Sequence, residues 1–148
     1  MDIKAIVKDA VVVSDGATFE DALRAMENSK TNTLLVVDSE GLLCGEVTVL
    51  DMLDAIVPES LDGDAVMRQL STDVGLTDAV KGALEKPVAD FMSVDYTTLT
   101  LEDNMVNVLA SALANARARL PVVDTEGRPI GIISRQGLKH ILGKLAEA

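Results

Sequence analysis

The chain has 148 residues and a mass of 15.7 kDa, with 48% hydrophobic and 25% charged residues, which suits one domain or two small ones sharing a core. Its 13 basic and 24 acidic side chains give a formal net charge of −11, so nucleic-acid binding is not expected. One cysteine and one histidine exclude an internal disulfide and a Cys/His zinc site, and favour a reducing, cytoplasmic setting. No apolar run approaches the roughly 20 residues that span a bilayer, and the first residues lack a signal-peptide layout.

One segment of the chain is repeated. Residues 34–41 read Leu-Leu-Val-Val-Asp-Ser-Glu-Gly, and residues 120–127, 86 positions later, read Leu-Pro-Val-Val-Asp-Thr-Glu-Gly. The same offset aligns apolar positions spaced i, i+3, i+4 and i+7, a pattern typical of a helix with one buried face. These positions are Phe19, Ala22, Leu23 and Met26 in the first copy, and Met105, Val108, Leu109 and Ala112 in the second.

Each copy predicts the same order of elements: strand, helix, strand, tight turn with glycine, strand and helix. In the first copy they cover residues 10–13, 18–29, 33–38, 43–48 and 50–57, with Thr18 as a helix cap and Pro58 ending the last helix. In the second copy they cover residues 97–99, 104–116, 120–124, 130–134 and 137–145. The intervening residues 58–86 contain spaced apolar positions that predict one or two short helices. We therefore expect an α/β (α+β) chain of repeat 1 (1–57), a partly helical linker (58–86) and repeat 2 (87–148).

A short motif ends each predicted hairpin: Gly, two residues, Thr or Ser, two residues, Asp. Residues 45–51, Gly-Glu-Val-Thr-Val-Leu-Asp, complete it, whereas residues 131–137, Gly-Ile-Ile-Ser-Arg-Gln-Gly, end on glycine. Residues 88–93, Val-Ala-Asp-Phe-Met-Ser, open the second copy, and residues 119–124, Arg-Leu-Pro-Val-Val-Asp, form its central strand. In this order and spacing, the motifs resemble a CBS-domain pair, the Bateman module.

The resemblance implies tandem βαββα repeats packed as a pseudo-twofold pair. It also implies a regulatory module that binds an adenosyl ligand, such as AMP, ADP, ATP or S-adenosylmethionine, in the cleft between the repeats. Such a module forms homodimers and acts on an effector protein that this chain does not contain. The alternative is a dimerising scaffold whose ligand cleft has decayed.

The family's ligand residues map onto two clefts. The first collects residues from both copies: Thr48, Asp51, Ser93, Tyr96, Arg117, Ala118 and Arg119. A carboxylate in the first turn of a helix, beside a hydroxyl, suits a ribose diol, and arginines suit phosphate. The opposite cleft receives Ser134 and Gly137 with Val7, Ala10 and residues 31–33, and it lacks the carboxylate and the arginines. One competent site per chain is the prediction.

Simpler interpretations stay open for the same residues. Thr48 and Asp51 also fit a helix cap, Arg117 and Arg119 fit exposed ion pairs, and Ser93 and Tyr96 fit ordinary packing. No catalysis is expected, because the chain has no phosphate-binding glycine loop, no histidine acid/base pair and no Cys/His nucleophile arrangement. Cys44 is predicted to be a small buried residue and His140 a surface residue.

Overall fold

In the computed structural model, which describes residues 2–57, 63–69, 71, 73–115 and 119–148, the first copy forms a three-stranded sheet with two helices on one face. Its elements are β1 (Val12–Ser14), α1 (Phe19–Ser29), β2 (Thr33–Val37), β3 (Leu43–Thr48) and α2 (Val49–Ala55). β1 runs parallel to β2, and β2 pairs antiparallel with β3. Two helices follow in the segment between the copies, α3 (Gly63–Gln69) and α4 (Asp73–Ala83).

The second copy repeats the arrangement with one difference. Its elements are α5 (Met105–Asn115), β4 (Leu120–Val123), β5 (Pro129–Ile133) and α6 (Arg135–Glu147). The strand predicted at residues 97–99 is reduced to one parallel bridge between Leu99 and Val122. In the first copy the Leu35 amide donates to Val11, but the equivalent residue of the second copy is Pro121, which has no N–H to donate.

Other boundaries differ from the prediction by a few residues. β1 begins at Val12 instead of residue 10, and α6 begins at Arg135 instead of residue 137. Ser134 takes the N-cap position of α6, so the helix starts directly after β5 and contains Gly137 in its first turn. None of the helices within the described residues is both long enough and apolar enough to cross a membrane.

Alternate residues of the central strands face opposite sides. Leu34 and Val36 of β2 pack against the helices of their own copy, with Phe19, Met26 and Met52. The equivalent cluster of the second copy joins Leu120, Val122 and Ile133 to Val108 and Ile141. Thr33 and Leu35 point away from the helices and are also buried, because the sheet is covered on both faces. The predicted helix faces are confirmed, since Phe19, Ala22, Met26 and Val108 are all buried.

The segments that open the two copies are exchanged. The first opening segment packs Ile3 and Ile6 into the core of the second copy, and Lys8 pairs antiparallel with Ile132 of β5. The second opening segment packs Val88 into the core of the first copy, and Ser93 pairs antiparallel with Glu46 of β3. Each core is therefore completed by the other copy, and the two copies are interlocked as a pseudo-twofold pair.

The two hairpin turns contact each other at one end of the pair. Gly41 and Gly127 hold the turns at φ 82° and 92°, the left-handed region that favours glycine. The Leu43 amide donates to the Gly127 carbonyl at 3.0 Å, and the Arg128 guanidinium donates to the Glu40 carbonyl. The sheets are thus joined at the turns.

The carboxylate of Asp124 holds the second turn and gives it a pH dependence. Its Oδ1 accepts from the amides of Arg128 and Glu126, each at 2.9 Å, and these hydrogen bonds hold the pKa of Asp124 below its ordinary value. A carboxyl with a lowered folded-state pKa stabilises the fold above its unfolded pKa of about 3.9, and this contribution is lost as pH falls through the folded value.

We therefore expect Asp124→Asn to be less stable than the wild type at pH 7, with the difference shrinking below about pH 4. Urea unfolding across this range measures it, with the exposed Glu102→Gln as control. A difference that stays constant with pH would contradict the role given to the charge.

Candidate functional site

A cavity of about 700 Å³ lies between the two copies. It is lined by residues where β2 and β4 begin and where β3 and β5 pass into α2 and α6: Asn32, Thr33, Glu46, Thr48, Val49, Leu50, Arg119, Ser134, Arg135 and Gln136. Thr48 and Ser134 occupy equivalent N-cap positions of the two helices. The sequence assigned these two residues to opposite clefts, whereas in the structure they line one common cavity.

The electrostatics of this cavity favour an anion. Arg119 and Arg135 contribute two cations to its lining, against the single carboxylate of Glu46. The first turns of α2 and α6 also border the cavity, and the N-terminus of a helix carries partial positive charge. A locally positive lining is notable in a chain with a net charge of −11.

Arg119 is held in place by the other copy. Its Nη1 donates to Thr33 Oγ1 at 2.6 Å, and Thr33 is only 4% exposed. Arg119 is half-buried at the cavity wall, and the hydrogen bond to Thr33 restricts its side chain before a ligand binds. This geometry favours the phosphate-binding interpretation of Arg119 over that of an exposed ion pair.

Asp51 and Thr48 form a capping box at the start of α2. Asp51 Oδ2 accepts from the Thr48 amide at 2.8 Å and lies 3.1 Å from Thr48 Oγ1, and the Asp51 amide donates back to that hydroxyl at 3.3 Å. Within the described residues, these bonds to the carboxylate all end on Oδ2. Oδ1 is therefore the atom of Asp51 that remains for a ligand.

The same capping box occurs at the start of α1, where no ligand role is predicted. Thr18 and Asp21 exchange the equivalent bonds at 3.0 and 3.2 Å. The Thr-x-x-Asp spacing is therefore sufficient for helix capping by itself. What distinguishes Asp51 is its location, because its cap residue Thr48 lines the cavity between the copies and Thr18 does not.

The second copy lacks this box because Gly137 stands where the acid would be. The Ser134 side chain makes no cap hydrogen bond, and its Oγ is buried without a partner among the described residues. Gly137 packs closely against Ile6 of the exchanged opening segment, and a Cβ there would lie 3.2 Å from the Ile6 carbonyl oxygen. This side of the cavity therefore has no carboxylate to accept from a diol.

A second cavity of about 450 Å³ lies further along α2. Asp54, Ala55 and Val57 line it together with Asp90, Phe91 and Met92 of the second opening segment. Asp51 and Ala55 are four residues apart and share one face of α2, whose start borders the first cavity. Lys86, which also lines this second cavity, donates its Nζ to the Ala55 carbonyl at 2.8 Å.

The remaining predicted site residues that the structure describes are not among those that line the cavity between the copies. Ser93 pairs through its backbone with Glu46 of β3, at 2.8 and 2.9 Å, and so lies on the sheet that leads to Thr48. Tyr96 follows that segment towards the start of β3, where burial and the neighbouring Cys44 raise its pKa. Cys44 is half-buried at the edge of the first core, less enclosed than predicted. Arg117 and Ala118 lie outside the described residues.

Sequence reasoning missed five lining residues, of which Val49 and Leu50 are apolar and three are polar. Arg135 and Gln136 follow the motif serine directly, and their polarity at the start of a helix was the available signal. Glu46 is 3% exposed although it is an acid in a strand, and the equivalent residue of the second copy is Ile132. The signal for Glu46 was an acidic residue at a position that is apolar in the second copy.

Comparison with known proteins identifies the family. A CBS-domain family model matches residues 2–58 and 88–144, which together form most of the chain. The chain belongs to the CBS-domain family, and its two repeats form a CBS pair.

Individual relatives agree with this assignment. The uncharacterised protein MJ1426 of Methanocaldococcus jannaschii is 29% identical over 95% of this chain and 90% of its own length. CBSX2 of Arabidopsis thaliana in complex with AMP superimposes with a TM-score of 0.71 at 22% identity, covering 98% of both chains. The CBS pair of protein MJ0100, in complex with 5′-methylthioadenosine and S-adenosylmethionine, gives a TM-score of 0.71 at 19% identity over 97% of both chains. These two structures share the fold of this chain.

Proposed function

We propose that this chain is a regulatory module that binds one adenosyl ligand, such as AMP, ADP, ATP or S-adenosylmethionine, and thereby changes its interaction with a partner protein. The observation that carries the proposal is that helix α2 connects two cavities: Thr48, the cap residue that Asp51 bonds, lines the positively lined cavity, and Ala55, one turn beyond Asp51, lines a cavity with Phe91 and Met92. A site for a nucleotide requires three neighbouring parts: a group of cations for the phosphate, an acceptor for the ribose diol and apolar side chains for the base.

The ligand parts are assigned by chemistry. The phosphate, or the charged end of another adenosyl compound, occupies the cavity beside Arg119 and Arg135, where charge-assisted hydrogen bonds are strongest. The ribose hydroxyls donate to Asp51 Oδ1, because Oδ2 is already engaged by Thr48. The purine packs against Phe91 and Met92. Ser93, Tyr96, Arg117 and Ala118 remain part of the proposed site by resemblance to the family.

Two related folds support the ligand class, since the structure of CBSX2 is a complex with AMP and that of the MJ0100 pair is a complex with S-adenosylmethionine and methylthioadenosine. The absence of an acid at Gly137 leads us to propose a single site. A ligand bound at this single site shifts the equilibrium between two arrangements of the repeats only by the difference between its affinities for the two arrangements. The effector protein responds because it binds the two arrangements with different affinities.

Thermal unfolding with AMP, ADP, ATP, NAD and S-adenosylmethionine tests the proposal. A ligand at a hundredfold its Kd adds about 2.7 kcal/mol, which raises the melting temperature of a chain of this size by roughly 5–10 °C. If none of the adenosyl compounds raises it, the sensor proposal fails and the scaffold alternative takes its place.

Arg119→Ala is expected to separate phosphate binding from nucleoside binding. Loss of one charge-assisted hydrogen bond costs about 1.5–3 kcal/mol, so the Kd for AMP should rise by roughly 10- to 150-fold while that for adenosine changes little. Calorimetric titration with both compounds measures this. Arg24→Ala, which removes the same charge from the exposed face of α1, serves as control. An equal loss for AMP and adenosine would contradict the assignment.

A further inference from the structure

A third cavity, of about 290 Å³, lies where the first opening segment meets α6. It is the counterpart, in the second copy, of the 450 Å³ cavity beside α2. The two opening segments begin with equivalent helical turns, Ile3–Ala5 and Val88–Asp90, and His140 of α6 is the equivalent of Asp54 of α2. The third cavity is lined by Ala5, Ile6, Lys8, Gln136, Gly137, Lys139 and His140.

The charge of this cavity is opposite to that of its counterpart. Asp54 and Asp90 contribute two carboxylates to the 450 Å³ cavity. The second copy has no acid at either equivalent position, and among the described residues no acid lines the third cavity. Lys8 and Lys139 contribute two ammonium groups to it, and His140 contributes an imidazole. In a chain with a net charge of −11, this group of basic side chains favours an anion.

The basic side chains of the third cavity are available to a ligand. The lysine of the counterpart cavity already donates to the Ala55 carbonyl at 2.8 Å. By contrast, no ion pair or side-chain hydrogen bond within the described residues involves Lys8, Lys139 or His140. Their backbones are fixed, since Lys8 exchanges two hydrogen bonds of 2.8 Å with β5 and the other two residues belong to α6. An anion therefore gains these donors without separating them from another partner.

We propose that the third cavity binds a compact phosphoryl oxyanion, inorganic phosphate or pyrophosphate. The ammonium groups of Lys8 and Lys139 supply positive charge, and the imidazole of His140 and the amide of Gln136 supply further N–H donors. An oxyanion with several charged oxygens requires several donors around it. The volume of about 290 Å³ lies at the lower end of the range for small-molecule sites, which suits a small ligand.

The chemistry of this cavity does not suit a nucleoside. Ile6 stands where the first copy has Phe91, so the described lining offers no aromatic side chain to a base. Gly137 stands where the first copy has Asp51, so the lining offers no carboxylate to a ribose diol. The anion site also requires the absence of this acid, because a carboxylate at residue 137 would repel the ligand. This inference does not rest on the proposed adenosyl site.

The single histidine of the chain allows a direct test. Proton NMR of the full chain, without a histidine tag, follows the imidazole C–H signal of His140 while phosphate or pyrophosphate is added at constant pH and ionic strength. We expect a saturable shift, with tighter binding of pyrophosphate because it carries more charge. Lys8→Gln combined with Lys139→Gln should raise the Kd about tenfold or more. Lys30→Gln combined with Lys81→Gln, which removes the same charge from exposed positions elsewhere, should leave the Kd unchanged.

The Asp51→Ala variant separates this site from the adenosyl site. It should keep the response to pyrophosphate, and loss of that response would overturn the proposal by placing the anion in the first cavity. In the same variant, ADP carries the same diphosphate on a nucleoside. Tighter binding of ADP than of pyrophosphate would show a second nucleotide site, against the proposal. The proposal also fails if neither anion gives a saturable shift, or if the double lysine variant binds like the wild type.

Discussion

Replacing Asp51 with alanine is expected to abolish the rise in melting temperature that AMP gives the wild-type chain. Oδ1 is the carboxylate oxygen of Asp51 that the capping box leaves without a hydrogen bond, and Thr48 of that box lines the cavity between the copies. Losing the acceptor for the two ribose hydroxyls costs about 1.5–3 kcal/mol per hydrogen bond to a charged group. Thermal unfolding with and without AMP measures the loss.

Helix capping complicates this test, and the chain provides the control. Asp51→Ala also removes the capping box of α2, which costs about 1 kcal/mol by itself. Asp21→Ala removes the same box from α1, with nearly the same bond lengths. Both variants should melt below the wild type without ligand, but only Asp21→Ala should keep the response to AMP. If the two variants respond alike, Asp51 is a cap and not a ligand residue.

Gly131→Ala is expected to destabilise the chain by about 3 kcal/mol, the upper end of the usual cost of overpacking. A Cβ at residue 131 would lie 2.5 Å from Val7 Cγ1 and 2.6 Å from the Lys8 carbonyl oxygen. The Lys8 carbonyl oxygen is a backbone atom, and it accepts a hydrogen bond from the Ile132 amide at 2.8 Å. It cannot move without breaking the pairing of the exchanged segment. Urea unfolding measures the difference.

Gly45→Ala is the matched variant, because Gly45 is the equivalent residue of the first copy. The three heavy atoms nearest to a Cβ there all belong to the Met92 side chain, and the two nearest, Sδ and Cγ, can move because this side chain has three rotatable bonds. We expect a loss of about 1 kcal/mol or less. Val7→Ala should rescue Gly131→Ala only in part, since it relieves one of the two contacts. Equal losses at the two glycines would contradict the role given to the exchanged backbone.

The sequence predicted the repeated architecture well, for a physical reason. The spacing of Phe19, Ala22 and Met26 and the run from Leu34 to Val37 are set by burial, and burial is read directly from local patterns. The turn glycines Gly41 and Gly127 were predictable because a positive φ favours glycine.

Features that depend on contacts between the copies were not predictable in the same way. The exchange of the opening segments depends on residues such as Ile6 and Val88, whose local pattern is the same whichever core they enter. The loss of the strand at Leu99 depended on the missing N–H of Pro121, a signal that was present but that only a comparison of the two copies at equivalent positions exposes.

The same distinction between local patterns and contacts between the copies applies to the candidate site. Thr48 and Asp51 were found from a motif within one copy, and Arg119 from the resemblance. That Ser134 shares a cavity with Thr48 follows only from how the copies face each other. Glu46 was missed because acids are mostly exposed, whereas here the side chain is buried and lines the cavity between the copies.

The stoichiometry of ligand binding tests the central claim most directly. Equilibrium dialysis of the wild-type chain against AMP, ADP, ATP and S-adenosylmethionine counts bound molecules without relying on a heat or a melting shift. We predict saturation at one molecule per chain for at least one of these compounds, because Asp51 has no counterpart at Gly137. Saturation at two per chain would show that the carboxylate does not define the site, and no saturable binding of any of the four would contradict the proposed function itself.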